Sequence, residues 1–174
     1  MLKCSLMMNR VIEILRTVDR RGIDKVVQYI LESNFSTARC NTHHTYRGGL
    51  VDHSIEVYNL MIERRGDIPL ESVVICALFH DLGKSYKRGF STATNHCLRS
   101  IEILDRCGFQ LTAEERSAIL NHHKISKYYS SKLHTCLSNS DMTSTGAWKI
   151  SHSKQSKSSI KRTANYLLYL FSKL

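Results

Sequence analysis

Apolar positions recur with a period near 3.6 residues over most of the chain, and the period-2 alternation of half-buried strands is hard to find. Met8, Val11, Ile12, Leu15 and Val18 follow i, i+3, i+4 spacing over residues 8–19, and Ile23, Val26, Val27, Ile30 and Leu31 repeat it over 23–31. Residues 35–47 are irregular and polar and read as a loop. Gly48 and Gly49 then precede a helix over about 50–65, with Leu50, Ile55, Val57, Tyr58, Leu60, Met61 and Ile62 on its apolar face. Pro69 suits a first helical position, and Glu71 suits the positive end of the helix that follows. That helix carries Val73, Val74, Ile75, Ala77, Leu78 and Phe79 and stops near Gly83. It is apolar nearly all round, as a central, buried helix should be. A loop over 85–94 leads to a helix over 95–107 ended by Gly108, and Thr112 with Glu115 forms a capping box for a helix reaching about Lys124. A further helix is expected over 131–143, a Ser/Lys-rich linker over 146–159, and a short amphipathic helix over 160–174 (Ile160, Ala164, Leu167, Leu168, Phe171, Leu174). The fold class is all-α, with a main domain at 1–145 and a basic linker plus terminal helix at 146–174.

Composition narrows this little. A chain of 174 residues with 42% hydrophobic content is one domain by size and long enough to bury a core. No apolar run approaches the ~20 residues of a membrane-spanning helix, and the N-terminus lacks the order of a signal peptide, so a cytoplasmic location without membrane attachment is expected. The six cysteines are scattered and never fall at Cys-x-x-Cys spacing, which favours free buried thiols over disulfides. The net charge of +10 suits an anionic partner. Much of the excess is local, because Lys149, Lys154, Lys157, Lys161 and Arg162 lie in a segment without acids from Thr143 onward. Such a stretch is ordinarily just solvated. Nucleic-acid binding through it is a less favoured alternative.

The chemistry is concentrated in residues 76–84, CALFHDLGK, where His80 and Asp81 adjoin at the end of an apolar run. Ligands act as sets, and the chain offers others in the order His53, His80-Asp81, His96, His122-His123, Asp141. Imidazole and carboxylate together suit divalent metals such as Mn, Fe, Co, Ni or Zn, with Mg also admissible. Each residue has a plainer reading as well. A His-Asp pair can sit at a helix C-terminus through the dipole, His53 can be a satisfied core histidine, and the residues alone do not separate Asp141 from Asp105 as a ligand. In α-helical backbone His80 and Asp81 point about 100° apart, so both reach one metal only if the helix ends there. Lys84 is a candidate for holding phosphate, since lysine binds it as a compact charge, although a lysine also suits a helix C-terminus. His44, Tyr46, Arg47 and Arg39 precede the site helix and are candidate substrate contacts. No Ser-His-Asp triad or P-loop pattern is present.

These motifs resemble the HD superfamily of metal-dependent phosphohydrolases, in particular small HD hydrolases of phages and bacteria. The resemblance spans about residues 35–145 and rests on GGLVDHS with His53, FHDLGK with His80 and Asp81, NHCLRSIEIL with His96, AILNHHK with His122, and LSNSDM with Asp141. It implies a helical bundle with a buried metal centre. His53, His80, Asp81 and Asp141 would hold one metal, and His96 and His122 a second, with Asp81 bridging and His123 as an additional candidate ligand. The implied activity is hydrolysis of a nucleotide-like phosphomonoester or phosphodiester by a metal-bound hydroxide, with Asp81 and Lys84 serving catalysis and a leaving-group acid drawn from His44 or His123. A nucleotide-binding module that keeps the metal cage without turnover, and a nuclease using the basic C-terminal segment, are the alternatives. Oligomeric state, metal identity and substrate are not fixed by these motifs.

Overall fold

The computed structural model of the protein describes residues 2–86, 95–124 and 131–152, and the side chains of 6–86, 95–124 and 131–146 within them. The expected terminal helix over 160–174, the second half of the expected linker (153–159) and residues 87–94 of the expected loop lie outside these residues. The described chain folds as seven helices, with no strand among the described residues: α1 Leu2–Leu15, α2 Ile23–Glu32, α3 Gly49–Arg64, α4 Leu70–Phe79, α5 His96–Arg106, α6 Ala113–Asn121 and α7 Lys132–His152. A short 3₁₀ turn, Leu82–Ser85, follows α4. None of the described helices is long and apolar enough to cross a membrane.

Helix α4 is the axis of the bundle. Val73 through Phe79 are all buried, so every face of its last two turns meets protein. It packs against α1, α3, α6 and α7, while α5 lies on the 3₁₀ turn and on α6. Met8, Val11 and Leu15 of α1 and Val26, Tyr29 and Ile30 of α2 present the apolar stripes expected from their spacing. Phe79 meets Phe109 edge to face with ring centroids 5.5 Å apart. The five cysteines with described side chains (Cys40, Cys76, Cys97, Cys107, Cys136) are all free and buried.

Two polar devices fasten the bundle. Arg20, in the α1–α2 connection, bonds Glu71 at the start of α4 and the fully buried Glu115 of α6, each at 2.5 Å. Glu115 also accepts from Ser72 Oγ at 2.7 Å and from the backbone N–H of Thr112 at 2.8 Å, completing the expected capping box. Burial opposes charge on Arg20, but the two glutamates outweigh it and raise its pKa. Second, Gly83 lets the 3₁₀ turn press onto α5. Its N–H donates to Ser100 Oγ at 2.8 Å, and a Cβ there would stand 2.1 Å from the carbonyl oxygen of His96.

Helix α7 departs from expectation: it runs through Gly146 to His152, past the point where a linker was expected to begin. The reason lies in its buried stripe. Leu133, Cys136, Leu137, Ser140, Asp141 and Ser144 are buried at helical spacing, but the second half of the stripe is polar because it faces the site. Hydrophobic periodicity therefore fades there while the helix continues. Helix α1 likewise begins at Leu2, earlier than its apolar pattern indicates.

Candidate metal centre

The ends of α4 and α6 and the middles of α3 and α7 converge on one buried polar spot. His80 is the C-cap of α4, its backbone N–H still bonded to Cys76 at 3.1 Å. The helix stops there, and Asp81 takes φ −108°, ψ 9°. That is the sparsely populated bridge region in which many active-site residues sit, and it removes the 100° divergence a continuing helix would impose. His53 comes from α3, Asp141 from α7, His96 from the first turn of α5, and His122 and His123 from the turn after α6.

The six expected ligands come together. His53 Nε2 lies 3.1 Å from Asp141 Oδ1, 3.5 Å from Asp81 Oδ2 and 3.3 Å from His80 Nε2. His80 Nε2 is 3.5 Å from Asp81 Oδ2. On the other side of the same carboxylate, Asp81 Oδ1 is 3.2 Å from His96 Nε2 and 4.0 Å from His122 Nε2. One oxygen of Asp81 thus faces His53 and His80 and the other faces His96 and His122, while His80, Asp81 and His122 also offer ligand atoms within 4.8 Å of one another. The more exposed His123 places Nε2 3.0 Å from His96 Nε2 and Nδ1 3.6 Å from Asp141 Oδ2. Cys97 Sγ lies 3.5 Å from His96 Nε2, and burial pushes its thiol pKa up to about 11.

The outer ring nitrogens show how the imidazoles are set. His80 Nδ1 donates to Ala77 O at 3.0 Å, and His122 Nδ1 donates to Ile119 O at 2.7 Å. A backbone carbonyl can only accept, so the proton is on Nδ1 and the inward Nε2 carries a lone pair, the arrangement that second-shell partners impose on metal-bound histidine. His122 Nε2 and Asp81 Oδ1 are buried acceptors without a hydrogen-bond partner. Such groups are rare in native proteins. Acceptors facing acceptors, on rings locked by backbone carbonyls, repel one another unless a cation lies between them. The donor set therefore fits a divalent metal.

The electrostatics agree. Burial would raise the pKa of Asp81, but neighbouring His80 and Lys84 outweigh it and hold the carboxyl well below its usual range. Burial likewise opposes ionisation of Asp141, and His53 beside it reverses the direction. Burial, with His80 nearby, lowers His122 to about 3. Burial lowers His96 to about 4 despite the pull of Asp81. His80 moves the other way, since Asp81 beside it outweighs its burial and raises its pKa. Lys84, its side chain 15% exposed, bonds Asp81 Oδ2 at 2.5 Å.

The expected loop contacts fare unevenly. Arg39 and Arg47 are exposed, and among the described residues neither bonds to the ligand cluster. Tyr46 donates to Asp52 Oδ2 at 2.6 Å and packs beside His44. His44 is buried, with Nε2 3.1 Å from Glu56 Oε2. Three further residues were not anticipated: His43, whose ring centroid is 4.5 Å from that of His53; Glu56; and Ser144, 3.0 Å from His53 Nδ1. Glu56 falls one turn after His53, and Ser144 one turn after Asp141. Polar residues at i+3 from candidate ligands share their helix face, which is the signal that could have found them.

The family model for the HD domain matches residues 50–159, more than half of the chain. The chain belongs to the HD superfamily of metal-dependent phosphohydrolases. Comparisons with curated proteins and with solved structures gave no match.

Proposed function

We propose that the protein hydrolyses a nucleotide-like phosphomonoester or phosphodiester at a dinuclear centre split by Asp81. The observation that carries this reading is the placing of one buried carboxylate between two sets of imidazoles, with His80 and His122 held by backbone carbonyls on either side of it. His53, His80, Asp81 and Asp141 would hold one divalent cation, and Asp81, His96 and His122 a second, with His123 adjoining. Paired divalent ions would supply Lewis acidity and lower the pKa of water.

The chain's own residues do the rest. The backbone carbonyls of Ala77 and Ile119 hold His80 and His122 in the tautomer that turns a lone pair inward. Apolar packing around Phe79, Leu82 and Leu137 keeps the floor of the site dry, which strengthens charge interactions within it. Lys84 places a cation at the rim, next to the oxygen of Asp81 that His53 and His80 also face. When that oxygen serves a metal, the ammonium is free to turn to a phosphoryl oxygen and offset charge developing on it. Burial disfavours this ammonium, but Asp81 outweighs it and keeps Lys84 protonated, with the pKa raised.

The test is release of p-nitrophenol from mono- and bis-p-nitrophenyl phosphate by the metal-reconstituted protein. Activity on either ester supports the reading and distinguishes monoester from diester preference. Lys84→Met, with its metal content verified, should lower kcat/KM about 10²-fold, the cost of removing one charge-stabilising donor. A protein that retains its metals yet cleaves neither these esters nor a panel of nucleotides would overturn it in favour of a binding module.

A further inference from the structure

Glu56 has an unusual place in this site. One of its oxygens, Oε2, accepts from Ser144 Oγ at 2.9 Å and lies 3.1 Å from His44 Nε2. Ser144 Oγ is in turn 3.0 Å from His53 Nδ1, and His44 Nδ1 is 3.0 Å from His43 Nδ1. Two chains of polar contacts thus start from one carboxylate oxygen and end on two rings of the buried cluster.

Proton counting fixes the direction of each chain. A serine hydroxyl has a single proton. Glu56 claims the one on Ser144, so Ser144 can only accept from His53, and the His53 proton must sit on Nδ1. Nε2 then carries the lone pair, and Nε2 is the nitrogen facing Asp81, Asp141 and His80. Without Glu56, Ser144 could donate to Nδ1 instead. The proton of His53 would move to Nε2, where Asp141 Oδ1 waits 3.1 Å away as acceptor, and the ligand atom would be blocked. On the other chain, His44 donates its Nε2 proton to Glu56, so its Nδ1 accepts from His43 Nδ1–H. His43 Nε2 is left as an acceptor on a buried ring tilted 59° against His53.

The backbone indicates that the second chain is held against strain. His44 has φ 45°, the one non-glycine residue with positive φ among the described residues. Such conformations persist only where the surroundings enforce them, and they cluster at functional sites. Here the carbonyl of His44 accepts from Cys40 N–H, and a Cβ on Gly49 would stand 1.8 Å from it.

We propose that Glu56 is the positioning residue of the centre: through Ser144 it selects the metal-binding tautomer of His53, and through His44 it selects the tautomer of His43. This rests on the metal centre proposed above. His43 then carries its lone pair on Nε2, suited to a hydroxyl or water and not to a phosphate oxygen.

The test uses the full chain titrated with Zn²⁺, with affinity from competition against a chelating dye and tautomers from long-range ¹H–¹⁵N spectra of the metal-free protein. Glu56→Ala and Ser144→Ala should each weaken the first Zn²⁺ equivalent ten- to a hundredfold, the usual cost of losing an outer-shell partner. Glu56→Ala should change the ring-nitrogen pattern of both His53 and His43, whereas His44→Ala should change that of His43 alone; a merely structural role for Glu56 would leave the His53 tautomer unchanged. Wild-type protein that binds Zn²⁺, with Glu56→Ala and Ser144→Ala binding within threefold of it, would overturn the role of Glu56 and leave the metal centre standing. Wild-type protein that binds no Zn²⁺ would overturn both.

Discussion

Gly83→Ala tests how the fold sets the distance across the site. The added methyl would stand 2.1 Å from the His96 carbonyl oxygen, 2.7 Å from Arg99 Cβ and 2.8 Å from the Ser100 backbone nitrogen. Ordinary contact begins near 3.4 Å, so the 3₁₀ turn and α5 must part by about 1.3 Å. Two of the three obstacles are backbone, which no side-chain rotation relieves. Overpacking of this kind costs about 1–3 kcal/mol, and separation also weakens the 2.8 Å bond from Gly83 N–H to Ser100 Oγ. A loss of about 2 kcal/mol in urea unfolding is expected. The functional consequence is more specific. His96 begins α5 and sits 3.2 Å from Asp81 Oδ1, so a displaced α5 carries away a ligand of the second metal while His53, His80 and Asp141 stay. Metal titration of Gly83→Ala should show the tighter equivalent retained and the weaker one reduced at least tenfold. Wild-type stability with both equivalents intact would refute the reasoning, since the steric conflict would then have been absorbed without moving α5.

Removing Arg20 should be costly for another reason. Arg20→Ala leaves Glu115, with its side chain 0% exposed, without its cation, and breaking such a buried pair costs about 3–5 kcal/mol. Urea unfolding should show this, and a loss under 1 kcal/mol would mean that Ser72 and the capping box suffice for Glu115. Acid should destabilise the metal-free protein. His43 and His122 are lowered to about 3, His96 to about 4, and His53 downward as well, each chiefly by burial. Below the ordinary value of 6.5 the unfolded chain binds protons that these native rings refuse, so their contribution is present above pH 6.5 and is lost as pH falls toward 3–4. His80, raised by Asp81, contributes with the opposite sign, fully below 6.5 and lost as pH rises through its native pKa. Four rings outweigh one, so stability in EDTA should drop from pH 7 to pH 4, by up to about 1.4 kcal/mol per pH unit for each net proton. A flat or rising profile would contradict this.

The helices were legible where burial was apolar and blurred where it was polar. Helix α4, apolar on all faces, and the capping box of α6 follow from local pattern alone. The C-terminal half of α7 did not, because Ser140, Asp141 and Ser144 replace the aliphatic residues that would have marked its buried stripe. The ligand set was readable as residue types in order, but its choice among candidates leaned on family resemblance; nothing local distinguishes Asp141 from Asp105. Asp105 pairs with Arg116 at the surface, whereas Asp141 is buried against His53. Glu56 and Ser144 were within reach of the i+3 spacing from His53 and Asp141, whereas His43 lies in a loop without periodicity and was not.

The most direct test of the central claim is metal retention. The protein should be stripped, reconstituted separately with Mn²⁺ and Zn²⁺, passed through a desalting column and analysed for metal per chain. Asp81→Asn and His96→Ala, both verified as folded by circular dichroism, serve as comparisons. Close to two equivalents are expected in the wild type, one in His96→Ala and none in Asp81→Asn, because Asp81 sets one carboxylate oxygen toward His53 and His80 and the other toward His96 and His122. No metal above background in the folded wild type, or retention by Asp81→Asn equal to wild type, would contradict that claim.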